Sequence, residues 1–407
     1  MAKTFVIIGA NATGGSAAAV LREEGFDGRI VLIGDDQRPP YERPPLSKEY
    51  LRGEQDAESA YLRPADWYSE QDISTRFGMR AERIDAKERT VELEGGEIFA
   101  FDALLVATGI RNRKLDVPGA TLEGVLDLRR VEDSDRIRDA AAKGSKAAIV
   151  GMGFIGAEVA ASLRQLGTEV TIVEYFETAL FRVLGPAFGR VLEGIHRDHG
   201  VEMFFGETVE SFEGSDRVEA VVTTEGRRIE CDFAVVGIGT QPNVEIAEAA
   251  GLAVDNGITI GPAFETTVPG VFAAGDIANH DHPIFGRIRV EHFDNAIKMG
   301  PAVAKAMLGN RDAYDDPHWF WSDQYDAQIQ MGGFTTEWHD PIIRGSVDDR
   351  RFCAFQLGDG AIRASLSIDW KRDVRRSLKL IRAQTKVDPV ALADPEVDLR
   401  TLLPEGS

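Results

Sequence analysis

The residues whose spacing carries the most chemistry are Gly151, Gly153 and Gly156 in the run Val150-Gly151-Met152-Gly153-Phe154-Ile155-Gly156, followed further on by Glu174. Glycines in a G-x-G-x-x-G spacing suit a pyrophosphate. The first permits a tight turn, the second lets backbone approach the phosphates, and the third lets a helix pack closely on a strand. The pattern is informative only where a strand turns into a helix. Here the buried-strand run Lys146–Val150 precedes it, and apolar residues at helical spacing run from Ala157 to Leu166. Unpaired N–H groups at the start of such a helix attract phosphate. A second strand, Glu169–Val173, ends on Glu174, and no Arg or Lys follows before Arg182. A carboxylate there accepts hydrogen bonds from ribose hydroxyls and repels a 2′-phosphate, so the unit reads as a binder of NADH rather than NADPH. A strand–helix turn without a ligand is the bland alternative, and the agreement of motif, context and terminal acid weighs against it.

The same arrangement occurs at the start of the chain. The strand Thr4–Ile8 runs into Gly9-Ala10-Asn11-Ala12-Thr13-Gly14, an Ala-rich helix is expected from Ser16 to about Glu24, and the strand Ile30–Ile33 closes on Gly34-Asp35. Asp35 takes the ribose position. Asn11 stands where the middle glycine belongs; asparagine tolerates left-handed backbone, so the turn is expected to persist. Prolines then stiffen Arg38-Pro39-Pro40-Tyr41-Glu42-Arg43-Pro44-Pro45-Leu46-Ser47-Lys48, presenting Arg43 and Lys48 at fixed places. A strand ending in Ala107-Thr108-Gly109 allows close backbone approach to a ligand. The strand before Gly275-Asp276 delivers a carboxylate able to bind a sugar-alcohol hydroxyl, and a helix from about Asn295 to Leu308 follows. A helix is expected from Val131 to Ala142, one strand from Ile229 to Gly237, and a loop at Gly237-Ile238-Gly239-Thr240-Gln241-Pro242-Asn243.

The elements around these residues need several domains: 407 residues exceed one core. A composition of 43% hydrophobic and 28% charged residues is that of an ordinary globular chain, and no apolar run reaches membrane-span length. The N-terminus has no signal-peptide pattern, so a cytoplasmic location is expected. The only cysteines, Cys231 and Cys353, lie outside any C-x-x-C pattern, which excludes a redox disulfide and suggests small core residues. No metal site is expected. The net charge of −21 argues against nucleic acid and anionic membranes. From Pro317 the pattern becomes aromatic-rich strands, Trp319–Trp321, Gln328–Met331, Arg351–Phe355 and Ala361–Leu366, with a following helix. That helix carries Lys371, Arg372, Arg375, Arg376, Lys379 and Arg382 along one side, against the overall charge.

The chain resembles the pyridine-nucleotide disulfide reductase-like flavoproteins, and within them the FAD-dependent ferredoxin reductases that serve oxygenases and cytochromes P450, relatives of rubredoxin reductase and apoptosis-inducing factor. The resemblance rests on Tyr41–Lys48, Ala107-Thr108-Gly109, Leu128-Arg129, Gly153–Glu158, Gly275-Asp276, Arg289–Ala296 and Trp319–Tyr325. It implies an α/β fold: two doubly wound Rossmann-like nucleotide-binding domains, glutathione reductase-like, plus a small α+β C-terminal domain. The FAD domain would be 1–111 and 244–316, the NADH domain 112–243, and the C-terminal domain 317–407.

It further implies that Gly9, Asn11, Ala12, Gly14, Asp35, Arg43, Lys48, Arg80, Ala107, Thr108, Gly109, Arg129, Gly275, Asp276 and Ala296 hold FAD. Glu291, His292, Phe293 and Trp321 would surround the flavin ring. Gly151, Gly153, Phe154, Ile155, Gly156, Glu174, Ile238 and Gly239 would bind NADH, and Lys48 would pair with Glu158 beside the transferring hydride. Asn11 and Phe293 depart from the family's glycine and tryptophan. The chain has no ligands for an iron–sulfur cluster, so the acceptor is expected to be a separate [2Fe-2S] ferredoxin docking through Lys371, Arg372, Arg375, Arg376 and Lys379. An NADH oxidase, peroxidase or coenzyme A-disulfide reductase would need a cysteine in the Arg43–Lys48 region, which has none. An NADH-sensing flavoprotein like apoptosis-inducing factor is the other alternative.

Overall fold

The computed structural model describes residues 2–404. The chain forms two compact units, each assembled from three segments: Met1–Glu42, Ala57–Arg111 and Gln241–His318 in the first, and Arg43–Asp56, Asn112–Thr240 and Trp319–Ser407 in the second.

The first unit is built on a five-stranded sheet whose spatial order is Val271–Ala273, Ala103–Val106, Thr4–Ile8, Arg29–Gly34 and Ile73–Phe77. All its pairings are parallel. Val6, Ile7, Ile30 to Ile33 and Leu104 to Val106 are buried without regard to alternation, as in a sheet covered on both faces. One cover is the pair of helices Ala12–Glu23 and Phe293–Met307, which pack on each other. Both start earlier than the periodicity predicts, because the glycine-rich and His292-Phe293 stretches enter helical geometry before the apolar pattern begins. A small antiparallel sheet, Ala81–Asp85, Thr90–Leu93 and Ile98–Ala100, occupies what the sequence shows only as a polar stretch.

The second unit repeats the plan with a parallel sheet in the order Glu202–Phe205, Glu169–Glu174, Lys146–Val150, Phe233–Val236 and Val125–Leu126. Helix Phe154–Gln165 follows its central strand. The expected single strand over 229–237 is two: Arg228–Glu230 belongs to an antiparallel sheet, Phe233–Val236 to the parallel one, and Cys231 lies buried between them. Helix Phe181–Asp198, unforeseen in the sequence, is broken at Gly185 (φ 66°) with Pro186 restarting it. The C-terminal part of this unit is a five-stranded antiparallel sheet ordered Trp319–Gln324, Ala327–Gly333, Ala361–Ile368, Arg351–Gly358 and Ile342–Ser346. Its fifth strand, Ile342–Ser346, is short and half-exposed and gives a weak sequence signal. Helix Lys371–Arg382 packs on three of these strands, chiefly Ala361–Ile368 and Ala327–Gly333. Behind it the fully buried Arg344 ion-pairs with Asp373 at 3.1 Å and donates to the carbonyls of Ala391, Leu392 and Val397.

Candidate functional site

In the first unit the strand Thr4–Ile8 delivers the loop Gly9–Asn11 to the start of helix Ala12–Glu23. Gly9 has φ 120°, and a Cβ there would collide with the Ala107 carbonyl; a Cβ at Gly14 would collide with the Gly9 carbonyl. Asn11 corrects the expectation made for it. It is extended (φ −129°) rather than left-handed, and acts as the N-cap. Its Oδ1 accepts from Thr13 N at 3.1 Å and Gly14 N at 3.3 Å, while Nδ2 donates to Ala107 O at 2.6 Å. The side chain thus replaces glycine's freedom with a hydrogen-bonded link between the loop and the next strand.

Asp35 is exposed at the end of Arg29–Gly34, and Ala107, Thr108 and Gly109 sit at the end of the neighbouring strand. Thr108 Oγ donates to Asn243 O, and Asn243 Nδ2 returns a bond to Thr108 O, both at 2.9 Å. Asn243 is a bracing residue whose place in the sequence indicates only a loop. Gly275, with φ 80°, abuts Thr13, and Asp276 follows it half-buried. Glu291 pairs with Arg289 at 2.6 Å. His292 caps helix Phe293–Met307, and Thr13 Oγ donates to Ala296 O at 3.0 Å. Burial lowers His292 to about 4, so its imidazole is neutral. Arg80 is exposed beside the small antiparallel sheet.

In the second unit Gly151 has φ 97° and a Cβ there would collide with the Gly237 carbonyl; Gly156 is barred by the Gly151 carbonyl in the same way. Gly153 is different. It is the N-cap of Phe154–Gln165 without a side chain to cap it, and among the described residues no heavy atom lies within 4 Å of where its Cβ would be. Open space next to uncapped helix amides fits a pyrophosphate. Phe154 and Ile155 form the first helical turn. Glu174 is buried, its carboxylate accepting from Met152 N and from Phe176 N at 2.8 Å. It therefore ties the glycine loop to the neighbouring strand end, a role beyond the expected contact with ribose. Gly239 (φ 98°) is exposed beside Ile238, and its carbonyl accepts from Arg113 N.

The strongest constellation in this unit is Lys48 and Glu158. Pro44–Ser47 forms a short 3-10 turn that ends on Lys48, and Glu158 lies in the second turn of helix Phe154–Gln165. Lys48 Nζ is 2.9 Å from Glu158 Oε2, with the two residues only 5% and 7% exposed. Ser47 Oγ donates to the same oxygen at 2.5 Å and Ser322 Oγ to Oε1 at 2.7 Å. Burying an ion pair is costly unless the remaining lone pairs are satisfied, and these serines satisfy them. Both lie in motifs that the sequence singles out, but nothing in their spacing announces a common partner. Arg43 and Arg129 belong to this unit, half-buried, with the Arg129 and Arg130 amides donating to Asp133. Trp321, also here, stacks on Trp319 at 5.1 Å. Burial pushes the Cys231 thiol up to about 12 and the Cys353 thiol well above its ordinary value, so neither supplies a thiolate near neutrality.

Residues 3–300 match the family model described as pyridine nucleotide-disulphide oxidoreductase, and residues 319–403 match the reductase C-terminal model. The chain belongs to the pyridine nucleotide-disulphide oxidoreductase family. It is 37% identical over 399 residues to rhodocoxin reductase of Rhodococcus erythropolis, covering 98% of this chain and 93% of that one. The ferredoxin reductase for the CYP199A2 system from Rhodopseudomonas palustris superposes with TM-score 0.94 at 37% identity, covering 98% and 99%. The reductase in the covalent putidaredoxin reductase–putidaredoxin complex superposes with TM-score 0.95 at 34% identity, covering 98% of each chain. The family member described here is an oxidoreductase of the ferredoxin reductase type, with FAD and NADH as its cofactors. Its glycine cradles, helix amides and strand-end acids fit two dinucleotides.

Proposed function

We propose that this chain is the ferredoxin–NAD(+) reductase of an oxygenase or P450 system, acting in the cytoplasm, with a [2Fe-2S] ferredoxin as its acceptor. Among the described residues no helix is long and apolar enough to cross a membrane. The chemistry that bound FAD would supply here is acceptance of a hydride equivalent and release of single electrons. The chain's own part is to hold and to polarise. Gly9, Asn11, Ala12, Gly14, Asp35, Arg80, Ala107, Thr108, Gly109, Gly275, Asp276, Glu291, His292, Phe293 and Ala296 serve FAD, together with Arg43, Arg129 and Trp321. Gly151, Gly153, Phe154, Ile155, Gly156, Glu174, Ile238 and Gly239 serve NADH. The three-domain division 1–111 with 244–316, 112–243 and 317–407 is part of the same reading.

One observation carries the mechanism: the buried Lys48–Glu158 pair, held by Ser47 and Ser322. Lys48 offers positive charge where negative charge develops, and Glu158 fixes where that charge sits. Replacing Lys48 by Met should slow anaerobic flavin reduction by NADH at least tenfold while FAD content stays that of the wild type. An unchanged rate would refute the assignment.

The acceptor meets helix Lys371–Arg382. Lys371, Arg375 and Lys379 are exposed there, Arg375 over the Trp319 ring. Arg372 is paired with the buried Asp373, and Arg376 is bound to Asp398 at 3.1 Å, so these two serve the fold as well. Reversing Lys371, Arg375 and Lys379 to Glu should raise the KM for ferredoxin and spare ferricyanide reduction. Equal loss of both activities would remove the docking surface.

A further inference from the structure

The hydrogen bonds that reach Glu158 do not begin at Ser322. Gln324 Nε2 donates to Ser322 Oγ at 3.0 Å, and Gln324 Oε1 lies 2.7 Å from His196 Nε2. His196 Nδ1 lies 3.2 Å from the Tyr325 hydroxyl, whose ring stacks on His199 with centroids 3.6 Å apart. Ser322, Gln324 and His196 are all completely buried. All of these residues lie in the second unit.

The direction of every bond in this series is fixed by elementary chemistry. An ionised Glu158 can only accept, so Ser322 gives it its single proton and must itself accept from the nitrogen of Gln324. That turns the Gln324 oxygen toward His196, and an oxygen at 2.7 Å requires a proton on Nε2. Burial lowers His196 to about 4, so at neutral pH the ring has one proton and a bare Nδ1 that accepts from Tyr325. Each member then donates toward Glu158. The titratable and charged groups facing the series are Lys48 at one end, and Tyr325, His199 and Arg164 at the other. Tyr325 carries a second sign of constraint: its φ is 57°, uncommon for a bulky residue, held while its hydroxyl and ring are both engaged.

We propose that His196 and Gln324 are positioning residues for hydride transfer: the Nε2–H tautomer of His196 locks the Gln324 amide so that Ser322 can only donate to Glu158, keeping that carboxylate aimed at Lys48. The inference rests on the reading of Lys48 and Glu158 given above. A pair misplaced by a fraction of an ångström loses rate more than affinity.

His196→Leu should lower the limiting rate of flavin reduction by NADH about tenfold with little change in the NADH concentration for half saturation, and His196→Gln, which keeps an N–H for Gln324, should recover to within about twofold. Should the leucine variant not fold, Gln324→Glu tests the same point, since it removes the N–H donor that Ser322 accepts from. Nitrogen-15 NMR of histidine-labelled wild type at pH 7 supplies a readout apart from turnover. The imidazole signals missing from His196→Gln should report a protonated Nε2 and a bare Nδ1. A proton on Nδ1, or equal slowing in the leucine and glutamine variants, overturns the proposal. Glu158→Gln separates the two levels: an unchanged rate there defeats the reading of the pair itself, whereas slowing there with a normal His196→Leu defeats only the positioning role.

Discussion

The two glycine loops are built on one plan and finished differently. Gly9 and Gly14 in the first, and Gly151 and Gly156 in the second, are barred from carrying a side chain by equivalent carbonyls. At the middle position the loops part. Asn11 satisfies two amides of its helix, whereas Gly153 leaves the N-terminus of its helix without a side-chain cap. The strand-end acids differ in the opposite sense: Asp35 is exposed, and Glu174 is buried and bonded to its own loop. The first loop is therefore settled by its own side chain. The second keeps its helix amides available and relies on Glu174 for its shape. A ligand that enters and leaves at every turnover, as NADH does, is matched to the second arrangement.

The largest break in this comparison should come from alanine at Gly14 against alanine at Gly153. The first forces a methyl into the Gly9 carbonyl and should cost about 3 kcal/mol of stability in thermal or denaturant unfolding. The second, at φ −76° with open space around it, should cost below about 1 kcal/mol and show instead as a raised KM for NADH. Comparable stability losses would mean that the loops do not differ at this position. Glu174→Ala against Asp35→Ala comes next. Loss of Glu174 strands the Met152 and Phe176 amides and should destabilise by about 1–3 kcal/mol, whereas Asp35→Ala should stay within about 0.5 kcal/mol. The smallest effect belongs to Asn11→Gly, which removes the cap at a cost of a few tenths of a kcal/mol. It removes a side chain that serves FAD and shapes the loop around it, so FAD dissociation measured by fluorescence should quicken; slower loss would show that the freed Thr13 and Gly14 amides hold FAD better than Asn11 does.

Most of this architecture could be read from the residues because strands and glycine loops leave local marks. Lys146–Val150, Gly151–Gly156 and the turn into a helix declare themselves within a dozen positions. The pairing of Lys48 with Glu158 was available only through the likeness of Pro44–Lys48 and Gly153–Glu158 to a family, since 110 positions separate the two. What escaped altogether is non-local and polar. Ser322 touches Glu158 from 164 positions away, and Asn243 straps Thr108 from 135. Helix Phe181–Asp198 escaped for another reason: Gly185 and Pro186 interrupt its pattern at the point where it bends. Asn11 shows the converse limit. Its identity is plain in the sequence, but whether it turns left-handed or caps a helix depends on the Ala107 carbonyl just past a different strand.

The guanidinium of Arg344 has a consequence for how the chain can be cut. Its charge is neutralised by Asp373 and solvated by carbonyls of Ala391, Leu392 and Val397, so those late residues act as an internal solvent shell for a cation with no access to water. A protease that clipped ahead of Pro389 would leave the cation dry, and the basic helix anchored through Asp373 would lose its footing.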